Sequence, residues 1–175
     1  MNMISQLHRT LDSGSFAVTA ELTLPDSSEK DELVETALKL SPYCDALNVT
    51  DATSAIPHFS SLAAAYILLD NDIEPVMQIS ARDRNRIAIQ GDVLGAHSLG
   101  IRNIFCITGD GVTAGDHPDA KPVFDLDSIS MLAALNNMDK TGSFMSGRKI
   151  TPNPRLFLGA AANPFAPPHL SLIHI

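Results

Sequence analysis

The chain has 175 residues, of which 45% are hydrophobic and 18% charged, and its 12 basic and 20 acidic residues give a formal net charge of −8. This composition predicts a single globular domain, and it argues against a nucleic-acid partner because the only dense basic stretch, Arg82 to Arg86, is too short to form a phosphate-binding face. No apolar run is long enough to span a membrane and the amino terminus lacks the apolar core of a secretory signal, so we expect a cytoplasmic protein.

Five apolar runs with the composition of β-strands follow one another along the chain. They are Phe16–Ala20 closing on Glu21, Ala46–Val49 closing on Thr50, Pro75–Ile79 closing on Ser80, Asn103–Ile107 closing on Thr108, Gly109 and Asp110, and Leu156–Ala162. The centres of the first four lie about 30 residues apart, which is the length of one βα unit. Cys44 and Cys106 lie in apolar segments outside any CxxC spacing and are interpreted as reduced core residues.

Helical patterns separate these runs. Their apolar stripes are Leu33, Ala37 and Leu40, then Ser61–Leu69, then Ile89, Val93 and Ala96. Ser28 and Asp31 have the spacing of a capping box for the first helix, while Asp83 is placed to cap the third and Gly100 to end it. The predicted loops are residues 111–126 and 141–154, with a short helix over Asp127–Leu135 between them.

Strands that alternate with helices predict a parallel α/β sheet covered by helices. Two architectures remain: a doubly wound, flavodoxin-like sheet, complete at this length, and a (β/α)8 TIM barrel, which needs roughly 250 residues. The chain stops directly after its fifth strand without a covering helix, which favours a partial barrel of about the first five βα units. We therefore expect residues 1–170 to be the amino-terminal portion of one barrel domain, inactive as an isolated fragment, and residues 171–175 to be a non-native tail.

In either architecture the carboxyl ends of the strands carry the functional site. The residues there are Glu21, Thr50, Ser80, Asp110 and Ala162. Each alone also fits a turn, a helix cap or a solvated loop, but together on one edge they predict a site. Arg82 is placed to offer a cation to a cofactor phosphate, unless its run is a solvated helix face. His58, His97 and His117 lack metal-ligand spacing, so no metal is expected.

Four segments that end successive strands carry a family resemblance across residues 14–169. They are VTAELTLP, DALNVTDATSA, MQISARDRNRIAIQGDVLGAHSLGIRNIFCITGD and GAAANPFAPPH, and the stretch from Gln78 to Asp110 is the most distinctive. The chain resembles the methylenetetrahydrofolate reductase family. The resemblance implies a (β/α)8 barrel that binds FAD and reduces 5,10-methylenetetrahydrofolate to 5-methyltetrahydrofolate, in one-carbon metabolism and methionine synthesis. It also implies NAD(P)H or another electron donor, and a homo-oligomer or a complex with another reductase subunit.

The resemblance also assigns roles to individual residues. Glu21 matches the general acid that protonates the folate N10, a role that requires a pKa raised by a partly enclosed, apolar setting. Asp110 matches a carboxylate near flavin and pterin that stabilises a developing cation and makes the flavin harder to reduce. The positions implied to contact the cofactor are Thr50, Gln78, Ser80, Thr108, Gly109, Asp110, Phe124, Ala161 and Ala162.

Two residues depart from the family pattern, and they leave alternatives open. Thr108 stands where many flavin-binding members carry Arg, and Gln78 replaces a common His, so two potential donors to the flavin are absent. One alternative is a cofactor-poor barrel that serves as the partner subunit of a reductase complex, although the retained Glu21 and Asp110 argue against it. Another is a flavodoxin-like electron carrier, which needs a phosphate-cradling loop that Glu21–Pro25 does not supply.

Overall fold

The computed structural model describes residues 4–161. Its strands are β1 Thr19–Leu22, β2 Ala46–Val49, β3 Pro75–Ser80, β4 Asn103–Ile107 and β5 Phe157–Ala160. Its α-helices are α1 Gln6–Asp12, α2 Lys30–Leu40, α3 Ser61–Asp70, α4 Arg86–Ser98 and α5 Ser128–Thr141. Short 3₁₀ turns cover Ser41–Tyr43, Thr53–Ala55 and Val112–Ala114. None of the helices in this range has the length and apolar character needed to cross a bilayer.

The strands form one parallel sheet in the order β1-β2-β3-β4-β5. One register row runs from Glu21 through Asn48, Val76 and Asn103 to Phe157. A doubly wound sheet reverses its strand order at a switch point, whereas an arc of a barrel adds each new strand beside the last. The predicted α/β fold and partial barrel are therefore confirmed, and the doubly wound alternative is wrong.

The two faces of the sheet differ in what covers them. Leu22, Leu47, Met77 and Cys106 point to one face and are buried with the apolar stripes of α2, α3, α4 and α5 in a single core cluster. Because side chains alternate along a strand, Glu21 and the other members of its register row lie on the opposite face. Helices that follow the strands and cover one face of the sheet are typical of a barrel wall, whose inner face carries the site at its carboxyl edge.

Helix α1, which the sequence analysis missed, closes the amino-terminal end of this inner face. Leu7 packs there with Val76, and the His8 ring stacks on Phe157 with centroids 4.5 Å apart. Glu74 Oε1 accepts hydrogen bonds from the first two backbone N–H groups of α1, at 3.0 and 3.4 Å, and from Asn103 Nδ2 at 2.9 Å. One carboxylate thus joins the helix to the starts of β3 and β4.

The helix caps differ from the predicted ones. The Ser28 capping box is wrong, because α2 begins after Glu29 without a side-chain cap. Asn85 rather than Asp83 caps α4, since its Oδ1 accepts hydrogen bonds from two backbone N–H groups of the first turn. A capping box does occur at α5, between Asp127 and Ser130, and that helix runs on to Thr141.

Strand ends also shift at the two edges of the sheet. β1 begins at Thr19, so Phe16 precedes it and is 92% exposed. β5 spans Phe157–Ala160 among the described residues, whereas the predicted run extends to Ala162, which lies outside them. The inner strands β2 and β4 match their predicted bounds.

Candidate functional site

Glu21 lies on the inner face at the carboxyl end of β1. It is exposed, and its carboxylate forms no hydrogen bond or ion pair with another residue of the range 4–161. Its apolar neighbours Leu22 and Leu24 are buried in the helix-side core, so they do not enclose it. The carboxylate is therefore free to bind a ligand, and Leu22 and Leu24 do not supply the apolar surroundings expected for a general acid.

Gln78 occupies the inner face of β3. The residue is buried, and its side-chain amide forms no hydrogen bond with another residue among those described. Thr50, at the end of the neighbouring β2, is also buried, and its Oγ1 donates to the Leu22 carbonyl at 3.5 Å. Thr50 thus links two strand ends, whereas Gln78 keeps an amide donor and acceptor for a ligand.

The ends of β3 and β4 are joined by a tight contact at Gly109. The fully buried Ser80 donates from Oγ to the Thr108 carbonyl at 3.4 Å. Gly109 has φ of +91°, and a Cβ there would collide with Ser80 Oγ, so this turn requires glycine. Thr108 Oγ1 accepts a hydrogen bond from the Ser128 backbone N–H at 3.1 Å, which ties β4 to the start of α5. Ser80 and Thr108 therefore support the turn that presents Asp110.

Asp110 follows this turn and is exposed. Its carboxylate accepts no hydrogen bond from a residue in the described part of the chain, but its backbone carbonyl accepts one from Arg82 Nη1 at 3.5 Å. The buried Arg82 side chain binds Asp83: Nε donates to Oδ1 at 2.8 Å and Nη2 donates to Oδ2 at 2.6 Å. The hydrogen bond with Asp83 is the largest cause that raises the pKa of Arg82; burial opposes it, and the charges of Asp83, Asp51 and Asp110 add to it.

A buried ion pair that the sequence analysis missed lies below this edge. Asp51 Oδ2 accepts from Arg84 Nη1 at 2.6 Å and from the Ser80 backbone N–H at 2.8 Å, and Oδ1 accepts from Ser61 Oγ at 3.3 Å. Arg84 Nε also binds Asp92 at 3.0 Å. Burial lowers the pKa of Arg84, but the charges and hydrogen bonds of its two carboxylates outweigh burial and raise it. The sequence features that relate to this pair are Asp51, which comes just after β2, and the basic run that follows β3.

The third arginine of the run is paired as well. Arg86 Nε and Nη2 each bind Asp125 at 2.7 Å, and this bond lowers the pKa of Asp125 to about 2. Asp83, Asn85 and Arg86 of the run are exposed, but each arginine is paired with a carboxylate, so the run is not a set of free cations. Phe124 precedes Asp125 with φ of +41°, is 40% exposed, and lines with Thr108 a shallow depression of about 380 Å³.

Small residues at the end of β5 complete the described edge. A Cβ on Gly159 would lie 3.1 Å from the Phe105 ring, so the glycine lets β5 pack closely on β4. Ala161 follows and is exposed, while Ala162 lies outside the described residues. No group of three or more His, Cys, Asp or Glu side chains within 4–161 is arranged to hold a metal ion.

The comparison with protein families shows to which family the chain belongs. A family model described as methylenetetrahydrofolate reductase matches residues 6–146, from α1 to the loop after α5. The chain belongs to this family. The match supports a folate-related reductase of the oxidoreductase class, in a family whose members generally use flavin. A comparison with curated proteins gave no match.

Proposed function

We propose that the chain is the amino-terminal portion of a flavin-dependent reductase that converts 5,10-methylenetetrahydrofolate to 5-methyltetrahydrofolate. Family membership supports the substrate class. The observation that carries the proposal is that Glu21, Gln78 and Asp110 lie at or near the carboxyl ends of three parallel strands of one sheet, with side chains not hydrogen-bonded to other residues in the described range. Other polar side chains at this edge, such as those of Ser80 and Thr108, are engaged within the fold.

The residues present fit the ring end of FAD. Gln78 offers an amide donor and acceptor to the edge of a planar heterocycle, and Gly109 and Gly159 keep backbone close to the inner face. Thr50, Ser80 and Thr108 would fix the strand ends, with Phe124, Ala161 and Ala162 completing the cofactor contacts. When bound, FAD supplies the hydride transfer that links a donor such as NAD(P)H to the folate.

The two free carboxyl groups have distinct roles in this proposal. Glu21 acts as the general acid: its carboxyl donates a proton to N10 of the folate, so that the bridge to the one-carbon unit opens. Asp110 acts as an anion beside the resulting cation and lowers its free energy by charge attraction. Neither carboxylate is hydrogen-bonded to a cation among the described residues, so both are available to the substrate.

A cofactor-poor barrel that partners a catalytic reductase subunit is the second candidate. It is favoured by one observation: Arg82, Arg84 and Arg86 each bind a carboxylate, so none offers a free guanidinium to the FAD diphosphate. An absorbance scan of the purified full-length protein separates the candidates. The visible absorbance band of an oxidised flavin is expected, and its absence even after incubation with FAD would favour the partner subunit.

The Glu21→Gln variant of the full-length protein tests the catalytic assignment. Reduction of the flavin by the donor is expected to proceed at nearly the wild-type rate, because no proton transfer to folate occurs in that step. Reoxidation by methylenetetrahydrofolate is expected to fall by about 10²–10⁴-fold, the usual contribution of a general acid. The control is Glu35→Gln, an exposed glutamate on α2 away from the strand ends. Equal losses in both half-reactions would show that Glu21 has a structural role.

A further inference from the structure

Arg82 connects the loops that follow three neighbouring strands. Its side chain is 3% exposed, and Nη2 donates to the Ala52 carbonyl after β2 at 3.1 Å, while Nη1 donates to the Asp110 carbonyl after β4. Its backbone takes part too: its N–H donates to Ser80 Oγ at 3.2 Å and its carbonyl accepts from the Val123 N–H at 2.7 Å. A single residue after β3 therefore contacts both flanking loops.

The loop after β2 needs such support because its backbone is strained. Ala52, Ser54 and Ala55 have φ values of +48°, +57° and +59°, a region that residues with a Cβ rarely adopt. The loop after β4 presses on it, since a Cβ on Gly115 would collide with the Ala55 carbonyl. A conformation of this kind persists only where its surroundings hold it, and the Arg82 guanidinium binds the carbonyl at its first strained residue.

The guanidinium itself is poorly placed to bind a ligand. Its Nε and Nη2 bind Asp83 and its Nη1 and Nη2 bind the two loop carbonyls, so four of its five N–H donors are committed, and Asp83 balances its charge. The fork geometry of the guanidinium is what allows these contacts at once, and a lysine ammonium has no such fork.

We propose that Arg82 is a positioning residue: it holds the Ala52 and Asp110 turns in fixed relation and thereby shapes the binding site for the flavin and folate rings. The proposal rests on the proposed function, because it gives Asp110 its position toward those rings. The earlier expectation that Arg82 meets a cofactor phosphate is thereby replaced by an indirect role.

The test compares Arg82→Met and Arg82→Lys with Arg86→Met in the full-length protein. Arg86→Met is the matched control, since it breaks an arginine–carboxylate pair of the same run that is more exposed and forms no hydrogen bond with either turn. FAD affinity is measured by quenching of flavin fluorescence, and amide hydrogen exchange is followed over residues 51–56 and 108–114.

Arg82→Met is expected to weaken FAD binding by about tenfold or more and to speed exchange in both segments, as the loss of buried, charge-assisted hydrogen bonds implies. Arg82→Lys keeps the charge but not the fork, so it is expected to rescue affinity by less than about threefold, while Arg86→Met changes it by less than about twofold. Full rescue by lysine would show direct phosphate binding and overturn the proposal. A folded Arg82→Met with wild-type affinity would overturn it too, because the residue would then be merely structural. If the wild-type protein binds no FAD, the proposed function fails, and the exchange data still decide whether Arg82 holds the two turns.

Discussion

Asp51→Asn is the substitution from which we expect the largest loss of stability at this edge. The Asp51 side chain is 6% exposed and binds a guanidinium, a backbone N–H and a hydroxyl. Asparagine has nearly the same shape but removes the negative charge and turns one acceptor into a donor. Arg84 would then remain largely buried beside an uncharged amide, with Asp92 as its remaining carboxylate partner and the Ser80 carbonyl as a neutral acceptor at 3.4 Å.

The size of this loss follows from the burial of the two partners. Removing one member of a buried ion pair costs about 3–5 kcal/mol because the other charge is left uncompensated. The Arg84 side chain is 23% exposed and keeps its bond to Asp92, so we reduce the expected cost to about 2–4 kcal/mol. For a domain of 150–250 residues this corresponds to a fall in melting temperature of roughly 5–15 °C.

Urea unfolding of the full-length protein, followed by circular dichroism, measures this cost. Asp92→Asn is the matched control: it removes the other carboxylate on the same guanidinium, but that side chain is 39% exposed and its loss should cost less than about 1 kcal/mol. The double variant Asp51→Asn/Arg84→Met should recover part of the loss, because it removes the unpaired charge. Equal costs for Asp51→Asn and Asp92→Asn, with no recovery in the double variant, would refute the reasoning.

Three further outcomes are expected. Glu74→Ala should release α1 and cost about 1–3 kcal/mol, since the hydrogen bonds of one carboxylate to the helix and to β4 are lost; faster amide exchange over α1 alone is the check. The bond from Arg86 lowers the pKa of Asp125 from 3.8 to about 2. The stabilisation by this pair should therefore be complete above about pH 4 and disappear as the pH falls through about 2. The difference in unfolding free energy between wild type and Asp125→Asn, measured against pH, should shrink over that window and stay constant above it. Burial raises the pKa of Cys106 to about 12, so the folded protein should be alkylated by iodoacetamide at half-buried Cys44 and not at Cys106. Mass spectrometry of tryptic peptides is the check, and alkylation of Cys106 at a rate similar to that of Cys44 would contradict the prediction.

The inner strands could be predicted from the sequence because local signals agree there. In β2 and β4 an apolar run is bounded by polar residues, and both neighbours in the sheet are present, so propensity and pairing select the same bounds. At the edge strand β1, strand propensity and pairing with β2 select different starting residues. Phe16 and Val18 have strand propensity, but β2 offers its first partner to Thr19, and the Val18 N–H binds the Asp45 carboxylate at 2.8 Å instead of a strand neighbour.

The pairing of charges could not be predicted in the same way. Arg84 and Asp51 are 33 positions apart and Arg86 and Asp125 are 39 apart, so no helical or strand period relates them. Only the parallel register brings the loop after β3 against the end of β2. Asp83 adjoins Arg82 and Asp51 directly follows a strand end, but the sequence alone does not indicate which aspartate pairs with Arg84 or with Arg86.

This neutralisation bears on the chemistry proposed for the edge. Arg82, Arg84 and Arg86 follow the carboxyl end of β3, and they form ion pairs with Asp83, Asp51 and Asp125. Glu21 and Asp110 are thus left as acidic groups without a hydrogen-bonded cation within the described chain. These unpaired acidic groups stabilise positive charge that develops on a ligand, and they destabilise an anionic group bound nearby. In the proposed reaction, opening of the methylene bridge would create positive charge on the one-carbon unit, so the field of the edge would stabilise the state that accepts hydride more than the neutral folate ring. Such a difference is what accelerates a reaction.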